Sequence, residues 1–331
     1  MKIQKVLFLA FLLFISFASI GQEVMHRTTK LMGCRFDITV VADDSIKGNG
    51  YIQDAIDEIT RIEKLISEWD PNSQTSEVIK QAGFRPVKVD KELYDLIQRS
   101  IVYSRLTDGA FDISFAGLNG IWKFDGTMKA LPDPEVIKEK LNLVGYEKIV
   151  LNSVDTSVYL TEKGMRIGFG AIGKGYAADK AKALLQQKGV IAGIINASGD
   201  LNTWGKQPNG DSWLVAITNP FNKDKAFGML PLDNAAIATS GDYEKYVEFN
   251  GKRYAHIINP KTGYPAEGLV SVTIFAPTAE MADALATSVF VLGAEVGLDR
   301  INQIPQVESI VVKESGEILT SENVNIADYE K

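Results

Sequence analysis

Cysteine and histidine are nearly absent. Cys34 is the only thiol, and His26 and His256 are the only imidazoles in 331 residues. A single cysteine excludes an internal disulfide. Two histidines exclude a His-rich zinc or iron site, so any bound metal would be a hard ion on oxygen ligands. Runs of Lys or Arg are missing too, and the formal net charge is −7. That balance argues against nucleic acid and anionic membrane surfaces as partners. No internal repeat, low-complexity tract or Pro/Ser linker interrupts residues 22–331. What remains is globular composition, 45% hydrophobic and 23% charged, in a length that suits one large domain or two intimate ones.

The first 21 residues read differently. Lys2 and Lys5 precede the apolar run VLFLAFLLFISFASI, and Ser-Ile-Gly places small residues before Gln22. This is the pattern of a secretory signal peptide whose apolar core is short for a membrane span. An uncleaved N-terminal anchor, holding the chain at the outer face of the inner membrane, is the alternative. The sequence thus implies a leader at 1–21 and an exported, periplasmic catalytic domain at 22–331. Loss of Lys2 and Lys5 takes the net charge from −7 to −9.

Periodicity predicts a strand at 35–43 and an amphipathic helix over 51–69, with Ile52, Ala55, Ile56, Ile59, Ile62, Ile66 and Trp69 at three- and four-residue steps. Further helices are predicted over 91–105, from Pro134 to about Leu143, over 174–188 and over 278–292. KIVLN and SVYLT read as a hairpin, and VIAGIINA (190–197) as a buried strand. Strands also fit 213–218, 226–232, 245–249, 253–258, 269–277 and a closing pair near 307–320. INASGDLNTWG (195–205) and ATSGDYEKY (238–246) read as polar turns after small apolar runs, each either lining a ligand cleft or serving only as an Asx-type turn. Strands in series, not in strict alternation with helices, point to an α+β fold with a largely antiparallel sheet.

GFGAIGKGYAAD (168–179) satisfies G-x-G-x-x-G with Gly168, Gly170 and Gly173. A dinucleotide-binding βαβ unit would also need an acidic residue about 20 positions on, at the end of the next strand. Lys188 and Asn196 stand there instead, and no further βαβ unit follows. The redox fingerprint therefore fails. What survives is a loop of small residues whose N–H groups face an anion at a helix start, with Lys174 beside it. A tight turn with a solvated lysine is the plainer reading.

Asp283 is the most informative acid. It lies among Ala282, Ala284, Leu285 and Ala286 in a helix apolar nearly all round, so it is expected to be buried. A buried carboxylate needs a partner or a metal. Thr287 lies four residues on, on the same face. The pair could bind one Mg²⁺; an Asp–Lys/Arg pair with a back-bonded Thr serves equally. His256 follows a strand and precedes a Pro/Gly turn, where it is either a base or structural. His26 is expected at a frayed surface end. Trp69 is either an exposed stacking surface or a core residue.

Taken in order, MGCRFDITV, SEWDPNS, TDGAFDIS, GAIGKGYAAD, NASGD, ATSGDYEKY, HIINPKTG and APTAEMADALATSVFVLG resemble the ApbE family of FAD:protein FMN transferases. The eight stretches span 32–293. The resemblance implies an ApbE/T-fold-like single catalytic unit that is exported and Mg²⁺-dependent. Its substrate would be FAD, whose FMN half goes to a Thr or Ser of a target protein through a phosphoester, with AMP released. The targets would be flavin subunits or domains of membrane redox systems. Carried over by resemblance, Met32 and Trp69 contact the flavin nucleotide, and Ala110, Phe111 and Asp112 line the FAD pocket. Lys174, His256 and Ile257 hold FAD near its diphosphate. The Ala171 carbonyl, Asp283 and Thr287 hold the metal, with His256 ahead of Asp283 as the base. Gly168, Asn259 and Cys34 depart from the family's DLGAIAKG, HIIDPRTG and MGT patterns. An Mg²⁺-dependent FAD pyrophosphatase and a non-catalytic periplasmic flavin-binding protein are the competing readings.

Overall fold

The computed structural model describes residues 22–324; the leader expected at 1–21 lies outside the described residues. β1 (Glu23–Leu31) and β2 (Cys34–Ala42) form a hairpin across Met32 and Gly33. Both turn residues have positive φ, 50° and 73°, as a type I′ turn requires. His26 is therefore not in a frayed end. It sits in a paired strand, with Nδ1 3.1 Å from the Thr39 hydroxyl.

Helix α1 (Ser45–Ile66) begins six residues before its apolar period becomes visible, capped by Asp44, which accepts from the Lys47 N–H. Glycines disguise that first stretch. A Cβ on Gly48 would meet Met25 Cγ at 2.4 Å, so the helix lies directly on β1. The helix ends before Trp69, which is 75% exposed and is not a core residue. Next come α2 (Gln74–Lys80), β3 (Val87–Lys88), α3 (Lys91–Leu106), α4 (Pro134–Leu141), β4 (Ile149–Asn152) and β5 (Ser157–Leu160). The predicted 149–160 hairpin is present, with β3 added to it as a small three-stranded sheet.

The second half supplies α5 (Gly173–Gln187), β6 (Gly193–Ala197), β7 (Asp200–Trp204), β8 (Trp213–Asn219), β9 (Asn222–Leu232) and β10 (Ala236–Gly241). Then come β11 (Tyr246–Phe249), β12 (Lys252–Ala255), β13 (Leu269–Ala276), α6 (Ala279–Leu292), α7 (Ala294–Asn302), β14 (Glu308–Lys313) and β15 (Ile318–Thr320). Two expected turns prove to be mostly strand. Within 195–205 only Ser198 and Gly199 turn, both at positive φ, and β6 and β7 pair on either side. Within 238–246, residues 238–241 belong to β10 in the middle of the main sheet. Small and hydroxyl side chains suit that packed position as well as they suit a turn.

The main sheet has eight strands in the order β1-β2-β6-β7-β10-β13-β14-β15, every pairing antiparallel. A doubly wound nucleotide fold needs parallel strands, so the α+β reading holds. Alternation along the strands separates two faces. Ala238, Val272 and Ile274 pack under α6 with Leu285, Val289 and Phe290. Leu201, Ile237 and Ile310 turn the other way, onto Ile217 and Leu230 of the β8–β9 hairpin. Phe36, Ile38 and Ile195 support α1 and α5 through Ile59, Ile62, Ala177 and Ala181.

The junction of α5 and α6 positions the site. Asp179 on α5 accepts from the Ala279 and Glu280 N–H groups, both at 2.9 Å, and so caps α6 from outside. At Gly175 a Cβ would sit 2.1 Å from the Ala279 carbonyl oxygen, so the backbones touch. Gly175→Ala should therefore cost about 1–3 kcal/mol in urea unfolding, because backbone must shift to make room. Gly50→Ala, also helical but with nothing within 4 Å of the new Cβ, should instead stabilise by about 0.5–1 kcal/mol. Equal effects of the two substitutions would contradict the close packing of α5 on α6.

Candidate active site

Three segments converge at the start of α5. The 168–175 loop brings Lys174 and the Gly175 N–H, the Ser198–Gly199 turn brings Asp200 at the head of β7, and α6 brings Asp283. The Lys174 ammonium is paired with Asp200 Oδ2. The Gly175 N–H, one of those a helix start leaves without an intrahelical partner, donates to Asp283 Oδ2 at 3.2 Å. Asp200 and Asp283 are 2% and 4% exposed. Burial and the neighbouring Asp200 carboxylate push Asp283 up to about 8, while Lys174 and the Gly175 N–H pull the other way. Asp200 is raised as well, by burial first. Lys174 is raised, the Asp200 and Asp283 carboxylates outweighing its own burial.

This is a negative centre, in which two buried carboxylates share one ammonium and Glu244 adds a third negative charge nearby. Further positive charge is what such a cluster lacks. Its donors are oxygens of the kind Mg²⁺ takes. Among the described residues no three His, Cys, Asp or Glu side chains converge as a metal set. An ion on Asp283 would need neutral oxygens such as the Thr287 hydroxyl, half-buried one helical turn on, and the Ala171 carbonyl. The residues present fit that description.

His256 lies just beyond β12, near enough to feel the Lys174 charge, with Nδ1 3.1 Å from the Lys245 carbonyl. A carbonyl only accepts, so Nδ1 carries the proton and Nε2 keeps its lone pair. Burial, reinforced by Lys245 and Lys174, pushes its pKa down to about 4. His256 is therefore neutral across the physiological range.

Other predicted residues divide into two groups. Met32 reaches the loop, its methyl carbon 3.6 Å from where a Gly173 Cβ would stand. Trp69 presents its ring to solvent with the Arg166 guanidinium 6.0 Å from its centroid. Ala110 and Phe111 are 2% and 1% exposed, and Phe111 packs edge-on against Tyr103, which leaves its ring no free face. Asp112 accepts from the Ser114 N–H at 2.8 Å, the Ser114 hydroxyl at 2.6 Å and the Tyr146 N–H at 2.8 Å. It ties together the walls of a cavity of about 290 Å³ that also includes Gly109, Tyr146 and Lys261. Ile257 is a core residue beneath α6.

The departures at 259 and 34 have local explanations. Asn259 Oδ1 accepts from the Lys261 N–H at 2.9 Å, a role an Asn fills as well as an Asp. Cys34 is half-buried near Ser198, Lys174 and Asp200, and burial raises its thiol pKa.

Asp200 is the site residue that sequence reasoning missed. NASGD contains it, but an acid after Ser-Gly reads as turn chemistry. Its signal lies in the next four residues, LNTW, which continue from Asp200 as strand β7.

The comparisons with known proteins agree with this geometry. The ApbE family profile matches residues 32–311. A curated FAD:protein FMN transferase of Klebsiella pneumoniae is 32% identical over 80% of this chain and 82% of its own length. One from Treponema pallidum is 32% identical over 76% and 73%. The crystal structure of an ApbE protein from Thermotoga maritima superposes with a TM-score of 0.85 at 30% identity, covering 93% of this chain and all of that one. The apo flavinyl transferase ApbE of Pseudomonas stutzeri gives 0.81 at 25% identity, over 91% and 95%. The same antiparallel architecture and a match running almost the length of the described chain place this protein in the ApbE family.

Proposed function

We propose that this chain cleaves FAD and transfers its FMN half to a threonine or serine hydroxyl of another protein. The observation that carries this reading is the buried Asp200–Lys174–Asp283 cluster beside the glycine loop at the start of α5. A binding protein has no use for such charge beside a diphosphate. In the reaction the acceptor oxygen bonds to the FMN phosphorus as the diphosphate P–O bond breaks, and AMP leaves. The hydroxyl's proton goes to a base on the enzyme.

The Ile172 and Gly173 amides donate to the Phe169 carbonyl, so the Gly170 and Ala171 N–H groups and the positive end of α5 orient the diphosphate. In this proposal Asp283, Thr287 and the Ala171 carbonyl would hold a divalent cation, Mg²⁺. Bound there, the ion supplies positive charge to the phosphoryl oxygens. Lys174 balances Asp200 and so keeps the centre from being too negative for an anionic substrate. His256 offers Nε2 to the incoming hydroxyl as hydrogen-bond acceptor. A cation on Asp283 would lower that carboxylate's pKa and occupy it, so His256, a weak proton acceptor by its depressed pKa, is the base in this proposal. Trp69 takes a ring of FAD by stacking. The leader pattern supports export, and the acceptor is a flavin-carrying subunit or domain of a membrane redox system.

Asp283→Ala should lower FMN transfer by about 10³-fold or more. Its melting temperature should stay within about 4 °C of the parent, because no large apolar group is removed. The assay is intact-mass analysis of a threonine-bearing acceptor domain incubated with FAD and Mg²⁺. FMN on the acceptor supports transfer, whereas free FMN with an unmodified acceptor would mark a pyrophosphatase. Chelation with EDTA should stop the reaction, and Mg²⁺ should restore it. Full activity in Asp283→Ala would overturn the metal assignment.

The depressed His256 pKa also has a pH signature. Below pH 6.5 the unfolded chain binds a proton at this residue that the folded chain refuses until about pH 4. Its contribution to stability is therefore fully present above 6.5 and lost as pH falls toward 4. Replacing it by Gln should flatten the acid side of the Tm-versus-pH curve between pH 4 and 6.5. An unchanged slope would show that His256 does not titrate this way.

A further inference from the structure

Glu68 stands at the other end of the 168–175 loop from Asp283. Its side chain is 10% exposed. Oε2 accepts from Asn119 Nδ2 at 3.0 Å and from the Arg166 guanidinium at 3.2 Å. Oε1 points at Gly168, where an added Cβ would lie 2.6 Å away and 3.1 Å from Ala116 Cβ. The carboxylate thus fills the volume that any side chain at 168 would occupy. A side chain at 168 would require the Glu68 carboxylate to move.

Two further observations point to a ligand at this place. Trp69 is 75% exposed beside it, a large apolar face that solvent alone leaves uncovered. Arg166, which pairs with Glu68 and lies over the Trp69 ring, has a buried Nε without a hydrogen-bond partner among the described residues. An open aromatic ring, the guanidinium over it and a carboxylate with one oxygen at the loop are thus grouped at one place.

We propose that Glu68 is a substrate-binding residue. It supplies, from the segment after α1, a carboxylate at the loop mouth where residue 168 has no side chain. Its Oε1 accepts a hydrogen bond from a hydroxyl or ring N–H of the nucleoside whose ring covers Trp69. This inference rests on the FAD reading above. The donor chemistry is shared by the flavin and adenosine halves of FAD, so FMN and AMP serve as separate probes.

The test compares the parent with Glu68→Ala, Glu68→Gln, Gly168→Asp and the double variant Glu68→Ala/Gly168→Asp. Titrations with FAD, FMN and AMP are run alongside melting curves. Losing a hydrogen bond to a charged acceptor should weaken FAD binding about 10- to 100-fold in Glu68→Ala. Glu68→Gln, which keeps an acceptor oxygen, should lose less. Gly168→Asp alone collides with Glu68 and should bind poorly. The double variant moves the carboxylate onto residue 168 and should recover FAD affinity to within about threefold of the parent, a coupling that independent sites would not show.

Whichever of FMN and AMP loses affinity in Glu68→Ala is the half that Glu68 holds; no loss for either overturns the proposal. A Glu68→Ala chain that melts earlier but binds FAD as tightly as the parent overturns it too, by assigning Glu68 a structural role only. So does a folded double variant that binds no better than Glu68→Ala. A parent that binds FAD but transfers no FMN would sink the transferase reading and leave these affinities to decide on Glu68. A parent that binds no FAD overturns both.

Discussion

Two carboxylates buried against one ammonium are the constraint on which the rest of the site depends. Asp200 and Asp283 would each be driven toward neutrality by burial, and Lys174 compensates only part of that. The protein keeps the arrangement by surrounding it with backbone that has few alternatives. α5 and α6 touch at Gly175, Asp179 caps α6, and the Gly175 amide is turned onto Asp283. Moving any one of these elements would leave an unpaired charge in the interior. The fold is in this sense organised to hold an unfavourable electrostatic arrangement in place.

The main sheet explains how one cleft can be built from such distant residues. Lys174 and Asp200 are 26 positions apart, and Gly175 and Asp283 are 108 apart. The tight β6–β7 turn delivers Asp200 to the end of α5, and β13 returns the chain so that α6 lies alongside it. A parallel, doubly wound sheet would put ligand chemistry at the carboxyl ends of its strands. Here the chemistry gathers instead where two helix starts meet a hairpin turn.

Much of this is legible in the sequence, and the failures have physical causes. Asp283 stands out because an acid in an apolar helix needs a reason to be there. Asp200 does not, because an acid after Ser-Gly satisfies turn chemistry and its partners are far away in sequence. The start of α1 is hidden by Gly48, which weakens helix propensity but lets the helix lie on Met25. β10 reads as a turn because Ala, Thr, Ser and Gly suit tight packing under α6 as well as they suit a loop. Trp69 leaves two possibilities open, and only its position beyond the end of α1 shows that its ring faces solvent. Phe111, a pocket residue by resemblance, is in the core because its neighbours on α3 close over it.

The 108-residue separation between the Gly175 amide and its carboxylate partner also fixes when activity can begin. Non-local contacts form late, after the loop between them has been closed. A growing or partly folded chain can contain the entire glycine loop and still lack any centre capable of handling a diphosphate. The centre is therefore incomplete until the chain as far as α6 has folded onto α5.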